Sequence, residues 1–157
     1  MAAAGRRGAA DLSDRAHFLA DHRSRCLQAG RFAGKMPAVK LLFENLPPSL
    51  APQRETLARC LEAMNRVMPL RVVYLFGSHA RGDARPDSDV DLCLVADGAA
   101  RQLEAAQSFS RAIRSIRPKP SFTLVPITPE RLAEKRDIQD YFFETVLNEG
   151  VRLATEN

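Results

Sequence analysis

The chain has 157 residues and a formal net charge of +4, a length that fits one domain, or one small domain with an appendage. Its hydrophobic fraction of 45% suffices for an ordinary soluble core, and no run approaches the ~18 consecutive apolar residues of a membrane span. The basic start of the chain has no apolar stretch after it, which argues against a secretory signal. Three scattered cysteines without metal-ligand spacing, Cys26, Cys60 and Cys93, are typical of a reduced protein. We therefore expect a cytoplasmic location.

The excess positive charge lies at one end of the chain. Residues 1–35 hold seven basic and three acidic residues, whereas residues 36–157 hold sixteen of each. The folded body therefore carries no strong nucleic-acid signal. Residues 1–35 also show no sustained apolar period, so we predict a disordered arm or an over-extended gene start. A partner-binding or RNA-binding arm is the functional alternative.

Periodicity and turn residues predict the first elements of the body. Residues 36–52 are predicted to be a linker, because their prolines disfavour a helix. A helix follows over residues 53–67, in which Leu57, Leu61 and Met64 form one apolar stripe. Strands are predicted at Arg71–Phe76, Val90–Val95 and Phe122–Ile127. Pro126 indicates that the third of these is an edge strand or one that stops early.

Two further helices complete the predicted domain, which occupies residues 53–157. The first covers residues 99–116 and places four apolar side chains on one face: Leu103, Ala106, Phe109 and Ile113. Thr128 and Pro129 begin the second helix as N-cap and first position. We expect a break near Asp137 and an end at Gly150, after which residues 151–153 add a short strand. The alternation of strands and helices predicts an α/β (α+β) fold.

The most informative stretch lies between the first two strands. Gly77 lets the chain turn with its amide near a phosphate, and Ser78 adds a hydroxyl donor beside it. Asp89 and Asp91 begin the second strand, where side-chain alternation presents both on one face. Two such carboxylates repel each other unless a cation lies between them, and Mg²⁺ prefers carboxylates together with phosphate oxygens. Arg81 could neutralise charge on the transferred or leaving phosphates.

Each of these features has a plainer interpretation, as an ordinary turn, a solvated strand edge or a surface charge. Together, in this order and at strand boundaries, they predict a nucleotide and metal site. In phosphoryl-type transfer the protein mainly positions groups and stabilises charge. This small set of residues therefore suggests nucleotidyl transfer.

The spacing of these residues resembles a known signature. Gly77-Ser78, ten further residues and Asp89-x-Asp91 form the pattern Gly-Ser-x10-Asp-x-Asp. With the flanking Gly-Ser-x-Ala-Arg-Gly and Ser-Asp-x-Asp-Leu, it resembles the polymerase-beta-like nucleotidyltransferase superfamily, in its minimal (MNT) branch. The resemblance covers about residues 53–154. It implies a small mixed sheet backed by helices, and transfer of a nucleoside monophosphate from a nucleoside triphosphate with Mg²⁺.

The same resemblance implies roles and partners. Minimal members are often paired with a HEPN-domain protein, as the antitoxin of a toxin–antitoxin operon. Some are similar to enzymes that transfer AMP from ATP and so silence the HEPN ribonuclease. We therefore expect ATP as donor and a HEPN-domain protein as partner. The implied residues are Asp89, Asp91 and Arg81 for catalysis, Gly77, Ser78, Arg81 and Ser88 for nucleotide binding, and Asp89 and Asp91 for the metal.

One position departs from the pattern. Active relatives commonly carry a third carboxylate on the third strand, and here that position falls on Thr123, whose neutral hydroxyl is a poor metal ligand and a poor base. Two main hypotheses remain, with a transferase that modifies a small molecule as a weaker third. The first is an enzyme that relies on two carboxylates, on substrate-assisted deprotonation or on an acid from a partner. The second is an antitoxin with impaired catalysis that blocks its HEPN partner by contact. His79 is a candidate base, with a surface turn histidine as the plainer interpretation.

Overall fold

The computed structural model describes residues 38–157, which form one five-stranded mixed sheet with helices packed against it. The strands are β1 (Val39–Leu41), β2 (Leu70–Phe76), β3 (Val90–Ala96), β4 (Phe122–Ile127) and β5 (Val151–Glu156). The helices are α1 (Arg54–Val67), α2 (Gly77–Arg81), α3 (Gln102–Ala112), α4 (Pro129–Asp137) and α5 (Tyr141–Glu149). Two 3-10 helices, Phe43–Asn45 and Pro48–Gln53, precede α1. The mixed α/β fold predicted from the sequence is confirmed.

The order of the strands is β1-β5-β2-β3-β4. All neighbours are antiparallel except β3 and β4, which are parallel. Parallel strands need a crossover connection, and α3 supplies it. β4 is an edge strand, as Pro126 indicated, because only at an edge does a proline leave no ladder hydrogen bond unmade. The tail after Gly150 is more than a short addition, since β5 lies between β1 and β2.

The alternation of side chains along β3 assigns its two faces. Val90, Leu92 and Leu94 belong to a buried cluster with the inward stripe of α1. Leu57, Leu61 and Met64 form that stripe, as predicted, and each is at most 1% exposed. Cys93 and Val95 project to the other face. There they pack in a second cluster with Phe143 and Val146 of α5 and with Ile127 of β4.

Cys93 shows how far this second face is covered. It lies on the same face as Asp91, but it is fully buried, and burial raises the pKa of its thiol to about 12. The thiol is therefore protonated at neutral pH and is a poor metal ligand. At the beginning of β3 the same face is less covered, because Asp91 is only half-buried.

Several predicted boundaries need correction. The helix predicted over residues 99–116 is shorter, and Leu103 is 72% exposed. The inward face of α3 runs instead through Ala105 and Phe109 and continues at Ile113, the residue after the helix, and all three are buried. Leu103 lies off this face. The break near Asp137 is confirmed, since α4 ends there and α5 begins at Tyr141. Thr128 caps α4 as predicted, its Oγ1 accepting from the Arg131 backbone N–H at 3.2 Å.

The segment predicted as a linker, residues 36–52, is structured in its described part. β1 pairs with β5, and Phe43 and Leu50 are buried in the larger core cluster. The prolines do prevent an α-helix, but their fixed φ is compatible with short 3-10 turns. The predictions for residues 1–35 lie outside the described residues. No helix within residues 38–157 is long and apolar enough to cross a membrane.

Candidate active site

Gly77 and Ser78 begin a helix rather than a simple turn, which corrects the sequence-based interpretation. The chain leaves β2 in extended conformation at Phe76 and enters α2 through Gly77, whose φ is +72°. L-residues with a side chain rarely adopt this left-handed conformation. No side chain caps the beginning of α2, so the first N–H groups of the helix are free to bind an anion. The helix ends at Gly82, which has a φ of +82°.

Asp91 packs directly against Gly77. The register of β2 and β3 pairs Phe76 with Asp91, so the aspartate lies beside the point where the chain turns into α2. A Cβ atom at Gly77 would collide with Oδ2 of Asp91. The glycine is therefore required both for its φ and for the close approach of the carboxylate. This contact joins the two halves of the sequence motif.

The two aspartates have no basic partner in the part of the chain that the structure describes. Asp89 is exposed and lies one residue before β3, whereas Asp91 is half-buried within it. Neither carboxylate forms an ion pair or a hydrogen bond with residues 38–157. Bare neighbouring carboxylates favour a cation between them, and hard oxygen donors of this kind fit Mg²⁺. This donor set therefore fits the metal that the resemblance implies.

Thr123 lies next to Asp91. The parallel register of β3 and β4 pairs the two residues, and paired residues project to the same face of a sheet. The Thr123 side chain is exposed. Within residues 38–157 no group of three or more His, Cys, Asp or Glu side chains is arranged to hold a metal ion. The position that would complete such a group beside Asp91 is the one that carries threonine.

The other predicted nucleotide ligands surround α2. Arg81 is exposed, and its Nε lies 3.4 Å from Oδ2 of Asp83. Such an exposed pair is weak, and it leaves the guanidinium free to move toward a ligand. Ser88 closes the loop before β3, since its Oγ accepts from the Arg85 backbone N–H at 2.9 Å. The hydroxyl can still donate to a ligand, so the proposed binding role of Ser88 stays a prediction.

His79 is not a surface histidine, contrary to the plainer interpretation of the sequence. Its side chain is buried, with 6% exposed. Nδ1 lies 3.0 Å from Oγ of Ser49, and Nε2 lies 3.4 Å from the carbonyl oxygen of Ser88. A carbonyl only accepts, so Nε2 donates to Ser88, and in the neutral ring Nδ1 accepts from Ser49. Both nitrogens are engaged within the protein, so His79 braces the loop that leads to Asp89 and is not placed to act as a base.

We expect His79→Ala to lower the free energy of unfolding by about 1–3 kcal/mol, since it removes a buried ring and leaves polar partners unsatisfied. Urea denaturation followed by circular dichroism measures the change. Arg85→Ala is the matched control, because that exposed side chain lies in the same loop and surface substitutions usually shift stability by less than about 0.5 kcal/mol. Equal midpoints for the two variants would contradict the bracing role.

The fold and the site together define a class: a small α/β protein with two bare carboxylates, one of which packs on a glycine at the beginning of a helix. The profile of the nucleotidyltransferase domain family matches residues 55–148. The chain belongs to this family. Membership supports nucleotidyl transfer as the general activity, and nucleotidyltransferases generally use a nucleoside triphosphate and a divalent metal.

Among solved structures, a protein from Sulfolobus solfataricus described as a candidate nucleotidyltransferase is similar to this chain, with 23% sequence identity and a TM-score of 0.42. The alignment covers 78% of this chain and 90% of that one. No curated protein matches the chain. The family assignment depends on the profile match alone.

Proposed function

We propose that this protein transfers a nucleoside monophosphate, AMP from ATP, to a hydroxyl group on a protein, and that the acceptor is a HEPN-domain toxin that it silences. The observation that carries the proposal is the contact between Asp91 and Gly77. This contact brings a carboxylate suited to a metal against the uncapped beginning of a helix suited to a phosphate. The antitoxin role is supported by the resemblance of the motif to the minimal branch of the superfamily.

In the proposed mechanism the chain positions the nucleotide and stabilises charge. The amides at the beginning of α2 and the Ser78 hydroxyl donate to the triphosphate. Asp89 and Asp91 would hold Mg²⁺, which when bound neutralises phosphate charge and aligns the reacting oxygens. The acceptor hydroxyl oxygen forms a bond to the α-phosphorus as the bond from that phosphorus to the bridging oxygen breaks. Pyrophosphate leaves with Arg81 as its counter-charge, and the hydroxyl proton passes to solvent or to the nucleotide.

Mass spectrometry tests the proposal. The full-length protein is incubated with ATP, Mg²⁺ and the candidate HEPN-domain partner, and the partner is expected to gain the mass of one AMP. The modification should be absent with Asp89→Ala. A partner that is inhibited but unmodified would refute transfer and would support the alternative function.

The alternative is an antitoxin that blocks its partner by binding, with impaired catalysis. One specific observation favours it, the pairing of Thr123 with Asp91, since a third carboxylate beside the first two would hold the metal and accept the proton. Complete inhibition of the HEPN ribonuclease by Asp89→Ala would select this alternative. Loss of inhibition in the same variant would select the enzyme.

Thr123→Asp is expected to raise the rate of nucleotidyl transfer by at least about tenfold, because a positioned general base contributes about 10²–10⁴-fold and the new carboxylate would also bind metal. The rate is measured as pyrophosphate release in the presence of the partner. Thr123→Asn serves as the control, because asparagine has the shape of aspartate without its charge. A rate unchanged in Thr123→Asp would mean that the wild-type protein does not lack a third acid.

A further inference from the structure

An aromatic wall borders the open end of the sheet face that carries Asp91. Phe76 is paired with Asp91, and Asp91 with Thr123, so these three side chains share one face. Further along this face Cys93 is covered by α5. The first turn of α5 therefore lies at the boundary between the covered part of the face and its open end.

Phe142, in that first turn, is held firmly and yet exposed. Its ring centroid lies 5.4 Å from that of Phe76, at an interplanar angle of 88°. It lies 5.0 Å from the ring centroid of Phe143, at 87°. Both are edge-to-face contacts, the favourable arrangement for aromatic pairs. Nevertheless, 41% of Phe142 is exposed, so two contacts fix a ring that still offers surface to solvent.

The surface next to Phe142 is also apolar. Five large hydrophobic residues are exposed within residues 38–157, and three of them, Ile138, Tyr141 and Phe142, lie at the corner between α4 and α5. The neighbouring charges cancel, because Nζ of Lys135 pairs with Asp140 at 2.7 Å. An exposed apolar patch of this kind often marks a binding site.

We propose that Phe142 is the stacking platform for the base of the bound nucleotide, an inference that rests on the proposed function. Phe76 directly precedes Gly77, so the chain that begins the phosphate-binding helix carries the ring against which Phe142 is packed. A nucleoside triphosphate has its phosphates at one end and a planar base at the other. With the phosphates at Gly77 and Ser78, the exposed ring of Phe142 borders the same open face.

This arrangement also sets the specificity of the site. A stacking contact recognises the face of a base and not its hydrogen-bonding edge, so it tolerates different bases. Purines offer more ring surface than pyrimidines. Phe142 therefore favours purine over pyrimidine nucleotides and discriminates weakly between ATP and GTP.

Isothermal titration calorimetry with ATP and with inorganic tripolyphosphate, each with Mg²⁺, tests the platform. Tripolyphosphate has the same phosphate chain but no base. Base–aromatic stacking is worth about 1–3 kcal/mol per base on alanine substitution, so Phe142→Ala should weaken ATP binding about tenfold and leave tripolyphosphate binding unchanged. Phe142→Tyr should retain ATP affinity. Leu103→Ala, which removes an exposed apolar side chain from α3, should change neither.

Phe142→Leu controls for misfolding, because it keeps apolar packing on Phe76 while it removes the aromatic face. It should weaken the binding of ATP and not that of tripolyphosphate. The inference is overturned if Phe142→Ala and Phe142→Leu weaken both ligands equally or weaken neither. An apolar side chain of a partner protein on this surface would give that second result. A wild-type protein that binds neither ATP nor tripolyphosphate would overturn the proposed function, and the platform with it.

Discussion

Asp91→Asn is expected to reduce nucleotidyl transfer by about a thousandfold or more. The metal ion supplies several kcal/mol of transition-state stabilisation in such reactions, and each 1.36 kcal/mol corresponds to a tenfold change in rate. Asp91 is the aspartate that touches the beginning of α2, so its loss should uncouple metal from triphosphate. The rate of pyrophosphate release over a series of Mg²⁺ concentrations measures the effect.

The free energy of unfolding of Asp91→Asn distinguishes a loss of metal binding from damage to the fold. Asn has the shape of Asp, and neither Asp89 nor Asp91 has a basic partner within residues 38–157. Removing one of two repelling charges should leave the metal-free protein as stable as the wild type, or slightly more stable. Asp87→Asn, an exposed carboxylate in the same loop, should retain full activity. Transfer that survives in Asp91→Asn would exclude Asp91 as a metal ligand.

The second large effect that we expect is a loss of stability and of nucleotide binding in Gly77→Ala. Gly82→Ala is its matched control. Both glycines have positive φ, +72° and +82°, so both substitutions carry a backbone cost of about 1–2 kcal/mol. A Cβ at Gly82 meets no atom within 4 Å. A Cβ at Gly77 overlaps Oδ2 of the Asp91 carboxylate, and forcing that side chain off its rotamer costs about 0.5–1.5 kcal/mol more. Urea denaturation should show the additional loss only for Gly77→Ala.

A double-mutant cycle attributes this additional loss to one contact. When Asp91 is replaced by alanine, the colliding carboxylate oxygen is absent, and the cost of Gly77→Ala should approach that of Gly82→Ala. ATP and Mg²⁺ binding should be lost in Gly77→Ala and retained in Gly82→Ala. Equal stability losses for the two glycine variants would contradict the close approach of Asp91 to the Gly77 backbone.

Much of the fold was predictable because neighbouring residues encode it. β4 begins at Phe122 and ends at Ile127 as predicted, since prolines and a helix cap delimit a short apolar run. The inward stripe of α1 follows from the spacing of Leu57, Leu61 and Met64, and Thr128 caps α4 through a residue three positions away. These features depend on contacts within a few positions along the chain.

Features that depend on packing were mispredicted. The inward face predicted for the α3 helix was wrong at Leu103, because contacts with elements far away in sequence decide which face is buried. His79 was expected at the surface, yet it is buried between Ser49 and Ser88. The segment before α1 was expected to be a linker, yet β1 pairs with the end of the chain. Composition does not reveal which distant segment will cover a given side chain.

The sequence by itself determined the class of chemistry. Gly77, Ser78, Asp89 and Asp91 occur in an order and at strand boundaries that only a few functions require, and the family match agrees. The tertiary structure decided how these residues meet. Asp91 rests on Gly77 because β2 and β3 pair in one register, and Thr123 lies beside Asp91 because β4 joins the sheet in parallel. Phe142 reaches Phe76 because α5 folds back over that face. Strand register and helix packing are long-range properties, and they place residues far apart in sequence within one site.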